Sequence, residues 1–454
     1  MANKNRLETE PIARLIFKLA IPTVLAQLVN LLYNIVDRIY VGRIPETGSM
    51  ALAGLGVTFP IILLVSAFAS LAGMGGASRA AVSMGAKDNE TAEKILGTCT
   101  TLLIIFSLAL AAVFMLTKDF ILMKFGASEV TLPYASDYIS VYLIGTAFVQ
   151  LSLGLNMFIT NQGFTKTSML TVCIGAVLNI ILDPIFIYAM GMGVRGAALA
   201  TVISQAVSCA WVLKFLTGRK TILKIRVKNM LPRKKIVISV LSLGVSPFIM
   251  QATECLIQLT FNSGMLKYGN DLYVALMSIL FSLTQLIWLP IQGFAQGAQP
   301  VIGYNYGAKR YDRVRSAFGL LFAVSLTFTV VMVGVAELFP RFFLGLFTTD
   351  AQLIDIGTNT TRLFIAGMAV MGAQGACQQT FLALGEAKIS LFLACLRKVI
   401  LLFPLALILP HIAGMGVWGL LLAEPVSDVI AASCTTVMFK FRIKKLLGLS
   451  TDTC

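Results

Sequence analysis

Residues 84–97 read MGAKDNETAEKILG, and residues 306–319 read YGAKRYDRVRSAFG. Gly85, Ala86, Lys87 and Gly97 fall on Gly307, Ala308, Lys309 and Gly319 at an offset of 222. The same offset lays Gly163 and Lys166 of QGFTK on Gly385 and Lys388 of LGEAK. Further along, GMGVRGAALA from Gly191 matches GMGVWGLLLA from Gly414 at an offset of 223. One offset held over more than a hundred residues marks an internal duplication, and a duplication governs everything read after it.

The duplicated unit belongs in hydrocarbon. Of the 454 residues, 57% are hydrophobic and only 13% charged, where a soluble domain carries roughly a quarter charged residues. Apolar stretches lie near 15–42, 50–78, 95–117, 133–161, 167–190, 194–217, 236–265, 272–303, 315–339, 357–384, 388–409 and 414–439. Each is long enough to cross a ~30 Å hydrocarbon core as a helix. The expected fold class is an all-α integral membrane protein of about twelve transmembrane helices, six to each copy of the repeat. Six is even, so both copies start from the same face and the repeats are parallel, related by an axis along the membrane normal. Two such bundles facing each other leave a central cleft between them. The expected division is an N-lobe over 1–217, a linker over 218–235 and a C-lobe over 236–454 that ends in a short basic tail.

A formal charge of +15 invites a nucleic-acid reading, which the placement of the charges excludes. Counting loops from an internal N-terminus, 25 Lys and Arg, among them Lys4, lie on the inner side, eight of them within 219–235. Six lie outside: Arg43, Lys118, Lys124, Arg195, Lys267 and Arg341. This positive-inside asymmetry puts both termini and the linker in the cytoplasm, where the linker meets anionic lipid headgroups. No removable signal peptide is expected ahead of the first span. The eight cysteines are scattered, without a CxxC pair or a Cys/His cluster, and read as small core hydrophobes.

The polar residues repeat as well. Gln27, Asn30, Asn34 and Asp37 share one face of the first span, and Gln251, Glu254 and Gln258 recur 224 positions later in the seventh. Gln285, Gln292, Gln296 and Gln299 follow in the eighth span, and Gln374 and Gln378 in the tenth. Amides facing lipid go unsatisfied, so these faces line protein or a wet cavity; any one of them serves equally well as glue between helices. Gln27, Asn30, Asn34, Gln251, Glu254, Gln258, Gln285 and Gln292 are read as substrate-cavity residues. Glu254 supplies the charge that favours a delocalised organic cation. The 19 methionines and 29 phenylalanines suit an adaptable apolar pocket among ordinary helix packing.

The fifth span holds the residue hardest to justify. In LNIILDPIFIYAM, residues 178–190, Asp183 sits about 24 Å from the inner end of the span at 1.5 Å per residue. An ionised carboxylate is costly there. Asn179 stacks on it at i, i+4, and Thr201 of the sixth span reaches a similar depth from the opposite end. Pro184 lacks an N–H and clashes with the carbonyl of Ile180, so a kink is expected. Carboxylate, amide, hydroxyl and freed carbonyl make a hard-oxygen environment suited to Na+ or to a proton-bearing carboxyl pair. Arg397, Lys398, Glu424 and Asp428, mid-span in the last two stretches, are expected to form a structural ion-pair cluster.

These motifs carry a family resemblance. VDRIYVG in the first span, the twinned GAK loops, LNIILDP and GMGVRGAALAT together resemble the multidrug and toxic compound extrusion (MATE) transporters over essentially the whole chain. The nearest likeness is to the Mep-type bacterial drug exporters. The resemblance implies a V-shaped pair of six-helix lobes in a bacterial plasma membrane. It implies export of organic cations driven by inward H+ or Na+, with no other cofactor, and a functional monomer. It carries the N-lobe cation site onto Asp37, Asn179, Asp183 and Thr201, with Asn156, Tyr138 and the bend proline Pro22 beside it; Na+, if it is the coupling ion, falls on the first four. One departure stands out. Glu254 matches the seventh-span acid of some relatives, but residues 364–384 contain no acid to partner it.

The alternative within the wider superfamily is a flippase of lipid-linked precursors, which needs a basic central cavity that these spans lack. An intramembrane enzyme needs a nucleophile–base set or a metal cluster, and neither HExxH nor GxSxG occurs. No enzymatic activity is expected.

Overall fold

The computed structural model describes residues 6–348 and 350–446; Lys4 and the end of the basic tail beyond residue 446 lie outside the described residues. A short helix α1 (Arg6–Thr9) precedes α2 (Ile12–Gly42), α3 (Gly48–Gly85), α4 (Asn89–Lys124), α5 (Leu132–Ile144) and α6 (Thr146–Asn161). The first half closes with α7 (Thr165–Pro184) and α8 (Gly193–Thr217). The second half begins with α9 (Lys234–Tyr268), α10 (Asp271–Gly307), α11 (Tyr311–Leu338) and the short α12 (Pro340–Gly345). It ends with α13 (Ala351–Ile365), α14 (Met371–Leu384), α15 (Ala387–Cys395), α16 (Phe403–Ile408) and α17 (Val417–Leu446). Among the described residues there is no strand.

Ten of these helical stretches are long and apolar enough to cross a membrane, and α5 with α6, bent by 60°, makes an eleventh. The stretch expected as the tenth span differs from a continuous helix. A 3-10 turn, Ala366–Val370, divides it into α13 and α14, each shorter than 18 residues. The turn holds Gly367, a weak helix former, which packs directly on the backbone of Pro425 in α17.

The duplicated sequence is also a duplicated conformation. Lys87 and Lys309 both adopt positive φ, 65° and 57°, a region that a side chain enters only at some cost. Gly163 and Gly385 follow at 83° and 80°, as do Gly191 with Gly193 and Gly414 with Gly416. The kink expected at Pro184 takes the form of a change of hydrogen-bond pitch. The α-helix ends at the proline and a π-helical turn, Ile185–Ala189, continues it. The eleventh span carries a π-helical stretch too, Leu396–Leu402.

The V shape is written in where apolar side chains gather. One core is shared by the halves; it joins Leu15, Ile16 and Leu19 and the Ala77–Met84 end of α3 to Phe294, Val301 and Ile302 of α10 and Ala383 of α14. Toward the opposite end the halves have separate cores, one around Val65, Phe114 and Tyr138 and one around Phe261, Leu280 and Phe364. The bundles therefore meet at the end that carries the first residues of α2 and α9, and part toward the other.

Two-fold reciprocity marks that meeting. A Cβ on Gly85 would run into the carbonyl of Tyr304, and a Cβ on Gly307 would run into that of Val82. Positions 82 and 304 are themselves repeat equivalents, so each half offers its glycine to the backbone of the other. Small residues are what let helices approach this closely in a membrane protein. Thr23 adds a hydrogen bond across the seam, Oγ1 to the carbonyl of Gly293 at 2.6 Å.

Candidate ion and substrate sites

In the first half, α2, α7 and α8 bring Asp37, Asn179, Asp183 and Thr201 together. Asp183 is fully buried, Asn179 nearly so, and Asp37 is 9% exposed. The Asn179 side-chain amide donates to Asp183 Oδ1 and to Thr201 Oγ1, both at 3.3 Å. The carboxyl groups of Asp37 and Asp183 lie close enough to act on each other. Yet Asp37 Oδ1, Asp183 Oδ2 and Asn179 Oδ1 are buried without a donor. Acceptors that face each other without a proton or cation between them are costly in a low-dielectric interior. The set therefore fits a bound H+ or a hard monovalent cation. Among the described residues no cluster of three His, Cys, Asp or Glu side chains is arranged as a metal site; the oxygens here come from two acids, an amide and a hydroxyl.

The other residues expected here divide. Tyr138 on α5 is buried near Thr201 and Asp37. Asn156 on α6 stands apart from the acids; its amide donates to the carbonyl of Ser168 at 3.3 Å. It lines a cavity of about 160 Å³ that also touches Asn179 and Thr201. No charged residue lines this cavity, whose walls carry hydroxyls and amides, including Gln27, Asn30, Ser204 and Gln205, enough polar partners to hold water. Tyr33 lines it as well and lies close to both acids. Sequence reasoning passed over Tyr33, although it stands four residues before Asp37 on the same helix face.

Across the cleft, Gln27 Nε2 donates to Gln296 Oε1 at 3.2 Å, and Gln251 Nε2 donates to Ser70 Oγ at 2.7 Å. These two stripe amides join the halves as well as facing polar space. Asn30, Asn34 and Gln285 are exposed and Gln258 is half-buried; Asn34 donates to the carbonyl of Asn30 at 2.6 Å. Gln292 lines a second, smaller cavity of about 50 Å³ with Met74, Met250, Trp288, Gln374 and Gln378.

Glu254 requires a correction. It is not an isolated anionic charge, because the Lys398 ammonium lies on its carboxylate. Adjacent residues on a helix point in directions roughly 100° apart, which sends the two consecutive basic residues of Leu396–Leu402 to different helices. Arg397 turns to α17 and bridges Asp428 at 2.7 Å and Glu424 at 3.1 Å. Lys398 turns to α9, where Nζ also donates to the carbonyl of Met250 at 3.1 Å. The expected cluster of Arg397, Glu424 and Asp428 is present, and Lys398 reaches out of it. Arg38, also within a span, lies over the Phe59 ring at 5.8 Å from its centroid.

Known proteins match this architecture. The MatE family model matches residues 22–185 and 247–408, one match in each half. The chain is 26% identical over 426 residues to the multidrug export protein MepA of Staphylococcus haemolyticus (strain JCSC1435), covering 93% of both. It is 25% identical to MepA of Staphylococcus aureus (strain N315), with the same coverage. Among solved structures, a multidrug resistance MATE family transporter in an outward-facing conformation superposes with a TM-score of 0.91 at 25% identity, over 98% of this chain and 99% of that one. A MATE transporter in a bent conformation gives 0.91 as well, over 98% of each chain. A family match in each half places the chain in one family: it belongs to the MatE family of multidrug-efflux transporters, multi-pass membrane proteins that move molecules rather than transform them.

Proposed function

We propose that this protein is a secondary active antiporter that exports organic, mainly cationic, compounds in exchange for inward H+ or Na+. The observation that carries this reading is the pairing of Asp37 with Asp183, with buried oxygens that lack donors beside a polar, charge-free cavity. Two carboxylates so placed repel unless one proton or one Na+ lies between them. Asp37 is on α2 and Asp183 on α7, so occupancy of the pair changes how strongly two helices attract. The ion then biases the choice between two packings of the bundle. The π-helical turn after Pro184 lies next to the pair and offers α7 a second pitch at low cost.

With both termini cytoplasmic in a bacterial plasma membrane, the shared core seals the inner side and the cleft faces outward. Ion binding from outside follows drug release in that state, and the loaded pair favours the return. Anionic lipids meet the basic linker, the working unit is a monomer, and no cofactor besides the coupling ion takes part. The test is ethidium efflux from proteoliposomes under an imposed pH gradient and, separately, an imposed Na+ gradient. One of the two gradients should drive uphill efflux, and Asp37→Asn with Asp183→Asn should abolish it. Normal uphill transport by that double variant would show that the acids do not couple.

A further inference from the structure

Glu254 shares the polar face of α9 with Gln251 and Gln258. One turn before it, Gln251 is bonded to Ser70 of the other half. Met250, beside it, lines the small cavity with Trp288 and Gln292. The Glu254 side chain is 38% exposed, while that of its partner Lys398 is only 8% exposed. The acid is thus the more accessible member of the pair and the ammonium the buried one. What holds the ammonium is one carboxylate and one backbone carbonyl, the same ligands that an alkylammonium arriving from the cleft would find.

The charge count around this pair is uneven. Glu254, Glu424 and Asp428 are three acids, and Arg397 and Lys398 are two bases. Arg397 is committed, since its guanidinium already bridges two carboxylates in the forked geometry that lysine cannot copy. Even so, Glu424 Oε2 and Asp428 Oδ2 are buried without a donor; Asp428 is fully buried and Glu424 is 7% exposed. Both acids lie close enough to Lys398 to feel its charge. If Lys398 leaves Glu254, acceptors await it on the other side. The cluster holds one more acid than it has bases.

We propose that Lys398 is a tethered stand-in for substrate: its ammonium occupies Glu254 between cycles, and a monovalent organic cation binds Glu254 by displacing Lys398 toward Glu424 and Asp428. The incoming cation completes the charge balance, so a neutral compound gains nothing from the exchange. Lys398 is then a specificity-determining residue that need not touch the bound drug. This inference rests on the export of organic cations proposed above.

The test measures equilibrium binding on the purified full-length protein, with ethidium as the cationic probe and an uncharged dye of similar size as the neutral one. Lys398→Met removes the competitor and should tighten ethidium about tenfold, leaving the neutral dye unchanged. Glu254→Gln added to that variant should cancel the gain. Unchanged or weaker ethidium binding in Lys398→Met overturns the proposal. Because an unpaired Glu254 is a burden on folding, Asp428→Asn, nearly the same shape, provides a second arm. It balances the cluster at two acids and two bases and should weaken ethidium about tenfold without affecting the neutral dye. Unchanged affinity there also overturns it. Absence of gradient-driven efflux in wild-type vesicles would remove the antiporter reading and leave these binding results standing.

Discussion

Replacing Gly307 by alanine tests whether the reciprocal crossing of Gly85 and Gly307 holds the two halves together. The new methyl group meets the carbonyl of Val82 and, behind it, the backbone nitrogen of Ala86. Neither can rotate away, so α3 and α10 must part before a carbon fits. Overpacking of a tight contact costs typically ~1–3 kcal/mol. A conformation in which this end is open escapes that cost, so the balance between conformations shifts by about 5- to 150-fold at roughly 1.4 kcal/mol per tenfold. Hydrogen–deuterium exchange in lipid nanodiscs reads the shift directly. Amides in residues 71–86 and 293–307 should lose protection by that factor, while those in 110–143, within the separate core of the first half, should not. Gly85→Ala should reproduce the effect, because the contact is mutual. Gly56→Ala serves as control, since nothing lies within 4 Å of its added Cβ. If Gly307→Ala exchanges like the wild type across 71–86, the crossing is not the seal and the reasoning fails.

Arg397→Met should be among the most damaging single changes, because it leaves Glu424 and Asp428 buried side by side without their shared partner. About 3–5 kcal/mol is expected, seen as loss of monodisperse protein on heating in detergent. Asp88 caps α4 by accepting from the Thr91 amide at 3.0 Å, so Asp88→Ala should cost ~1 kcal/mol. Thr91, through its side chain and backbone, also holds the Asp88 carboxyl below the ordinary aspartate range. The cap is therefore fully present at neutral pH and is lost as pH falls through that lowered value, and wild type and Asp88→Ala should melt alike in strong acid. Lys87→Gly and Lys309→Gly relieve positive φ at matched positions. Each should raise thermal stability by about 1 kcal/mol, and a lower melting temperature in both would show that these side chains make up for the strain.

Much of the fold was legible because membranes enforce it. Hydrocarbon demands long apolar helices, and the twinned GAK stretches announced the duplication that the matched φ angles of Lys87 and Lys309 repeat in the backbone. Asp183 was legible as an anomaly, since a charge in such a setting calls for partners, and Asn179 one turn away was the nearest. Tyr33 was not, because an aromatic residue inside an apolar run is equally at home against lipid. The break at Ala366–Val370 left no proline to read, and its cause is packing on α17, a contact between distant parts of the chain. The partner of Glu254 lay 144 positions away, and no helical spacing identifies which of two adjacent bases turns to which helix. The packing of α9 and α17 around the stretch Leu396–Leu402 decides it.

A bundle joined at one end is a lever. From Gly244, which packs on Leu71 at the seam, α9 runs on to Tyr268, an arm of about 36 Å at 1.5 Å per residue. A tilt of about 10° at the fulcrum, within the reach of side-chain repacking, sweeps the tip through about 6 Å over that length. The gearing works in both directions. Ångström-scale shifts where the halves meet become a mouth that opens or shuts. Equally, a modest lateral pressure from lipids on the tips acts on the fulcrum with mechanical advantage, so the thickness and tension of the surrounding bilayer become inputs to the transport cycle.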